Sequence, residues 1–174
     1  MTSYERIKSA LYFQTPDRLP VEFPGCGHSD FSVVGWNQIG TGNHEQHHTL
    51  DEWGCTWSRS DAKNMGLVTG HPLVDLDELD TYCWPDPDDE KLYEGMEARF
   101  AGHEDQYILT SIFALLFERM HRLHGFENTL MDLLLEPEKM AFLADRIVDF
   151  DIRVISNISR RFPGRIHGFT STDD

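Results

Sequence analysis

The stretch SIFALLFERMHRLH, from Ser111 to His124, carries apolar residues at Ile112, Leu115, Leu116, Met120 and Leu123, and Gly125 follows it. That spacing is one face of a 3.6-residue period, and the glycine is a left-handed stop, so the segment predicts a helix. Glu136-Pro137-Glu138 opens a second and longer helix, with proline tolerated in the first turn and acids favourable at the positive end. Met140, Leu143, Ile147, Val154, Ile155, Ile158 and Phe162 follow at helical spacing before Pro163-Gly164 ends it. Arg165 to Phe169 then reads as a buried strand with the polar tip Thr170-Ser171-Thr172-Asp173-Asp174. Helix, turn, strand and tip form one βα-type unit, and such folds gather their chemistry at the carboxyl ends of strands. Asp173 and Asp174 are therefore expected to bind substrate; the alternative is a helix cap or turn for the next element.

Upstream, Thr2 and Glu5 form a capping box, and Tyr4, Ile7 and Leu11 line a helix that must stop near Thr15-Pro16. Leu19 to Phe23 reads as a first strand. The long loop Pro24 to Thr49 follows, relieved only by Phe31 to Val34, and loops of that length are functional or disordered. Trp53 and Trp57 flank Gly54, which predicts packing around a turn. A short helix near Val74 to Leu79, a rigid turn at Trp84 to Asp89, a helix from about Asp88 to Arg99 and a strand from Gln106 to Leu109 complete the reading. Glu118 and Arg119 read as a structural pair, with a solvated surface pair as the alternative.

Thirty acids against fifteen Lys and Arg give a formal charge of −15, which repels phosphate backbones and anionic lipids. Nucleic-acid and membrane-surface roles are disfavoured. The apolar run Ile108 to Phe117 is too short to span a bilayer, and the opening residues MTSYERIKSAL lack the apolar core of a signal peptide. Cys26, Cys55 and Cys83 are widely spaced and odd in number, matching neither a disulfide framework nor a structural zinc pattern, so a reducing cytoplasm is the expected home. A strand ending at Asp174 with no helix after it leads to the expectation of an incomplete domain over residues 1–174.

His44-Glu45-Gln46-His47-His48 fits H-E-x-x-H, but no apolar helix face surrounds it, and a solvated loop is the better reading. Cys26-Gly27-His28 offers two metal ligands without a third or fourth. Gly40-x-Gly42 lacks the strand and third glycine of a dinucleotide fingerprint.

Glu5-Arg6-Ile7 through Pro16-Asp17-Arg18-Leu19-Pro20-Val21 resembles the amino-terminal signature of the uroporphyrinogen decarboxylase-like superfamily. Asp51-Glu52-Trp53-Gly54, His71-Pro72-Leu73, Tyr82-x-Trp84-Pro85-Asp86-Pro87, Phe117-Glu118-Arg119, Gly125-Phe126-Glu127 and Thr172-Asp173-Asp174 follow in the same order. The resemblance implies the amino-terminal half of a (β/α)8 TIM-type barrel, an α/β fold. It also implies one of two chemistries: uroporphyrinogen decarboxylation, or methyl transfer between a corrinoid carrier protein and a small thiol or folate-type acceptor. No Lys or Arg occurs from Val21 to Gly54, so a polycarboxylate substrate there would meet acids without a fixed cation. Methyl transfer is the leading reading and decarboxylation the alternative, with a non-catalytic fragment or interaction module as a third.

By the same resemblance, Asp173 and Asp174 would hold polar groups of a small-molecule substrate, and the His28-Ser29-Asp30 loop would close one side of the mouth, so His28 and Asp30 join the binding set. No catalytic residue is assigned. Zinc would serve the thiol in a full-length enzyme through ligands not in this chain, and a corrinoid protein is the implied partner; the oligomeric state is open.

Overall fold

The computed structural model describes residues 1–23, 25, 27–37, 48–59 and 66–173. Helix α1 (Ser3–Leu11) is fixed by the expected capping box: the Thr2 hydroxyl accepts from the Glu5 N–H at 3.1 Å, and the Glu5 carboxylate accepts from the Thr2 N–H at 2.9 Å. Two short strands, β1 (Glu22–Phe23) and β2 (His28–Ser29), pair antiparallel. Next come β3 (Phe31–Val33) and a meander of β4 (His48–Leu50), β5 (Thr56–Ser58) and β6 (Leu67–Gly70).

The acidic, proline-interrupted segment forms single 3-10 turns at Leu76–Glu78, Glu90–Leu92 and Glu97–Phe100 in place of the two expected helices. The physical reason lies in Asp75 and Asp89, whose side chains accept from the N–H two residues on and close local turns. Strand β7 (Tyr107–Ile112) runs three residues past its expected end, so helix α2 (Phe117–His124) starts six residues later than its apolar period implied. Helix α3 (Phe126–Leu135), which the sequence reading did not assign, leads into α4 (Pro137–Arg161) and then β8 (Gly168–Ser171).

The expected half-barrel is not what the chain forms. A half-barrel requires successive parallel strands, each followed by a helix, closing on one another. Here the described strands divide into three small sheets, of which only β3-β7-β8 is parallel. Between β3 and β7 the described residues build an antiparallel meander and 3-10 turns, and no crossover helix occurs among them. Only β7, the α2–α4 helices and β8 make the β-α-β unit that the carboxyl-terminal sequence pattern announced.

Helix α4 supplies most of one wall of the core. Met140, Leu143, Ile147, Phe150, Val154 and Ile158 are buried along one stripe, in one cluster with Ile108 and Ile112 of β7 and with Trp53, Leu73, Met96 and Phe100. Gly125 joins α2 to α3 at φ +93° and ψ 142°, a conformation open to glycine and strained for any L side chain. A Cβ there would meet only ordinary contacts to Asn128 and His71. G125A is therefore expected to lower stability by ~1–2 kcal/mol through backbone strain alone, read as a lower denaturant midpoint with an unchanged slope. Among the described residues, no helix is long and apolar enough to cross a membrane.

Candidate functional site

The residues expected to bind substrate lie at opposite edges of the parallel sheet. Asp30 precedes β3, and its carbonyl accepts from the Tyr107 N–H at 3.0 Å, which places it at the amino-terminal edge. Asp173 follows β8 at the carboxyl-terminal edge. The six residues of β7 between them make roughly 20 Å of strand, too far for one small ligand. Asp174, Cys26 and His44 to His47 lie outside the described residues, as does the Gly40-x-Gly42 pair. His48 begins a strand.

Asp30 is fully buried and saturated. Its carboxylate accepts from Ser3 at 2.8 Å, Arg6 at 2.6 Å, Arg18 at 2.7 and 2.9 Å, and the Val21 N–H at 2.9 Å. Burial opposes the charged form, but these donors outweigh it and hold the carboxyl well below its usual range. Arg6 also pairs with Asp17 at 2.6 Å, so the segment that resembles a family signature works here as a clamp between α1, the Asp17-Arg18 turn and β3. His28 is exposed on β2 and no side-chain bond ties it to this cluster. Neither residue faces the edge where β7 and β8 end.

Asp173 is a helix cap, but of an earlier helix than expected. Its carboxylate accepts from the N–H groups of Leu116, Phe117 and Glu118 at 3.2, 3.1 and 2.8 Å, satisfying the orphan donors of α2. Partial burial works against its charge, and the three donors prevail, leaving the carboxyl below its ordinary value. D173A is expected to cost ~1 kcal/mol, with D173N retaining part of the bond set; chemical denaturation of both variants checks this.

Around that cap the fold assembles a group the sequence reading did not connect. Asp51 is buried and accepts from the Trp53 and Cys55 N–H groups at 3.0 and 2.9 Å and from the Trp57 indole at 2.9 Å, while the Arg119 guanidinium lies 3.6 Å away. Gly54, at φ +74°, lets the turn close, so the two tryptophans pack around it as their spacing predicted. Arg119 stacks 5.0 Å from the Trp53 ring centre and donates to the Phe113 carbonyl at 3.2 Å. Arg122 lies between the Trp57 and Phe113 rings at 4.7 and 4.4 Å and pairs with Glu118 one turn earlier. Glu118 and Arg119 do not pair with each other: Glu118 binds Arg122, and Arg119 faces Asp51.

Asp151 completes the group. It projects from the buried stripe of α4, between Ile147 and Val154, and burial pushes its carboxyl up to about 7. Arg119 favours its charged form and Asp173 disfavours it. A buried carboxyl poised near neutrality within the field of a guanidinium has the properties of a proton-exchanging group. His121, half-buried on α2, is held below its ordinary value by burial and by Arg122.

Asp151 had a signal in the sequence: an acid four residues after Ile147 and three before Val154 stands on the apolar face of the helix. Asp51 and Arg119 had none, because 68 positions separate them and only folding joins them. Cys55 is fully buried and its thiol is pushed up, so it is not an activated nucleophile.

Among the described residues, no three His, Cys, Asp or Glu side chains converge to hold a metal ion, and Cys83 stands exposed and alone. The chain matches no family model, no curated protein and no solved structure.

Proposed function

We propose that the chain is a uroporphyrinogen decarboxylase-family protein that takes part in methyl transfer between a corrinoid protein and a small thiol or folate-type acceptor. The order of its motifs supports the family. One observation favours methyl transfer over porphyrinogen decarboxylation: the arginines near both sheet edges already serve internal carboxylates. Arg6 and Arg18 hold Asp30, Arg119 faces Asp51, and Arg122 holds Glu118. A polycarboxylate would have to break these pairs, leaving buried acids without partners.

The corrinoid protein supplies the methyl group. On this chain, Asp151 accepts the proton of the incoming thiol; the thiolate sulfur then forms the new S–C bond as the donor's methyl–cobalt bond breaks, the electron pair of that bond staying with the corrinoid, and Arg119 favours the carboxylate form of Asp151 before the transfer. The match between a carboxyl near 7 and a thiol near 8.5 suits such an exchange.

The test supplies methylcobalamin as donor and either 2-mercaptoethanesulfonate or tetrahydrofolate as acceptor, and follows the donor's visible spectrum together with the methylated product by mass spectrometry. Product formation that D151N slows by roughly 10²–10⁴-fold is the expected result. Absence of methyl transfer, with decarboxylation of uroporphyrinogen under the same conditions, overturns it.

A further inference from the structure

Helix α3 is inside out. Its inward residues are polar: Thr129 is fully buried, Asn128 donates to the His124 carbonyl at 3.1 Å, and Asp132 bonds the buried His124 ring at 2.8 Å. Its outward residues are Phe126, Leu130, Met131, Leu133, Leu134 and Leu135, all exposed, with Leu134 at 85% and Leu135 at 71%. An ordinary surface helix has the reverse arrangement, and six large apolar side chains on ten residues of exposed helix mark a surface built to be covered.

The charges around this face decide what covers it. Glu127 on α3, Glu136 at its end and Glu138 in the first turn of α4 are exposed. The nearby cations are engaged: Lys139 bridges Asp77 at 2.7 Å and Glu136 at 3.4 Å, and Arg146 stacks on Trp84 at 4.9 Å. A second copy would set this acidic rim against its own like, with −15 on each chain, and an anionic lipid surface would be repelled in the same way.

We infer that the α3 face docks a partner protein through an amphipathic helix whose apolar side is flanked by Lys and Arg. The partner's leucine-rich face lies along Leu130, Leu134 and their neighbours, and its cations meet Glu127 and Glu138. This surface is separate from the Asp151 group and does not depend on the methyl-transfer reading.

The probe is a fluorescein-labelled helical peptide of leucine and lysine in amphipathic register, titrated with the full chain and compared with a leucine–glutamate peptide of the same pattern. The expected result is saturable binding of the lysine peptide, with the glutamate peptide at least tenfold weaker. L130D/L134D adds two negative charges, so a purely electrostatic attraction would hold or tighten; the docking face predicts at least a tenfold loss.

Amide hydrogen exchange on the unsubstituted chain gives a reading that needs no variant: bound peptide should slow exchange selectively across residues 126–135. Unchanged affinity in L130D/L134D, or protection elsewhere than α3, overturns the inference. So do two further outcomes: self-association by sedimentation that L130D/L134D abolishes, which would make the occupant a second copy, and binding to phosphatidylcholine vesicles in place of the peptide.

Discussion

D151N is expected to stabilise the protein at neutral pH while removing its proton-exchanging group. In the folded chain the Asp151 carboxyl is raised to about 7, chiefly by burial, so the folded state holds its proton more tightly than the unfolded state does. Below pH 4 both states are protonated and the residue is neutral in the balance. As pH rises from about 4 to 7 the unfolded state ionises first, and stability falls across that window. The difference amounts to roughly 2–4 kcal/mol above pH 7. The amide of D151N carries no such charge, so its gain should be present at pH 7–8 and shrink toward zero at pH 4. Urea unfolding of both proteins at the two pH values checks it. A buried residue that weakens the fold it belongs to, within the electrostatic reach of Arg119 and of the Asp173 cap, has the profile of a functional group.

Removal of Asp30 is expected to act in the opposite direction, and as strongly. D30A leaves the Arg6 and Arg18 guanidinium groups and the Val21 N–H without their shared acceptor in a site that is fully closed at Asp30. Breaking one side of a buried ion cluster costs about 3–5 kcal/mol, enough to leave many small domains largely unfolded. Because the folded-state pKa is lowered, the stabilisation is complete above the unfolded value near 4 and is lost as pH falls below it. Thermal unfolding of D30A and D30N at pH 7 checks the loss, and a wild-type stability profile below pH 4 checks its sign. A substrate ligand in an open site would instead tolerate D30N with little change in stability.

The two ends of the chain were legible because their signals are local. The Thr2 and Glu5 capping box predicted the start of α1, and the apolar stripe from Met140 to Ile158 together with Pro137 predicted α4. Local signals misled where the chain turns abruptly: Ile112, Leu115 and Leu116 share a period with Met120 and Leu123, yet Ile112 ends β7 and the helix begins at Phe117. What overrode the period is long-range, since Asp173 supplies the donors' acceptor at Phe117 from 56 residues away. The half-barrel expectation, which the resemblance implied, failed for a long-range reason too: Trp57 and its neighbours pair across β4, β5 and β6 into an antiparallel meander. Helix α3 escaped notice because its apolar residues run nearly continuously and face outward.

Of the candidate site, Asp173 was found by its place after a strand but serves α2, and Asp30 was found in a loop but serves the amino-terminal clamp. Asp51, Arg119 and Asp151 meet only in the folded chain, which is why composition and spacing could not assemble them.

The proton-exchanging role of Asp151 is tested most directly by titrating its side-chain carboxyl carbon by NMR in the intact protein, with D151N used to assign the signal. A midpoint near 7 is the predicted result. A midpoint in the ordinary carboxylate range, about 4, would contradict it and make Asp151 a carboxylate that is already ionised at neutral pH.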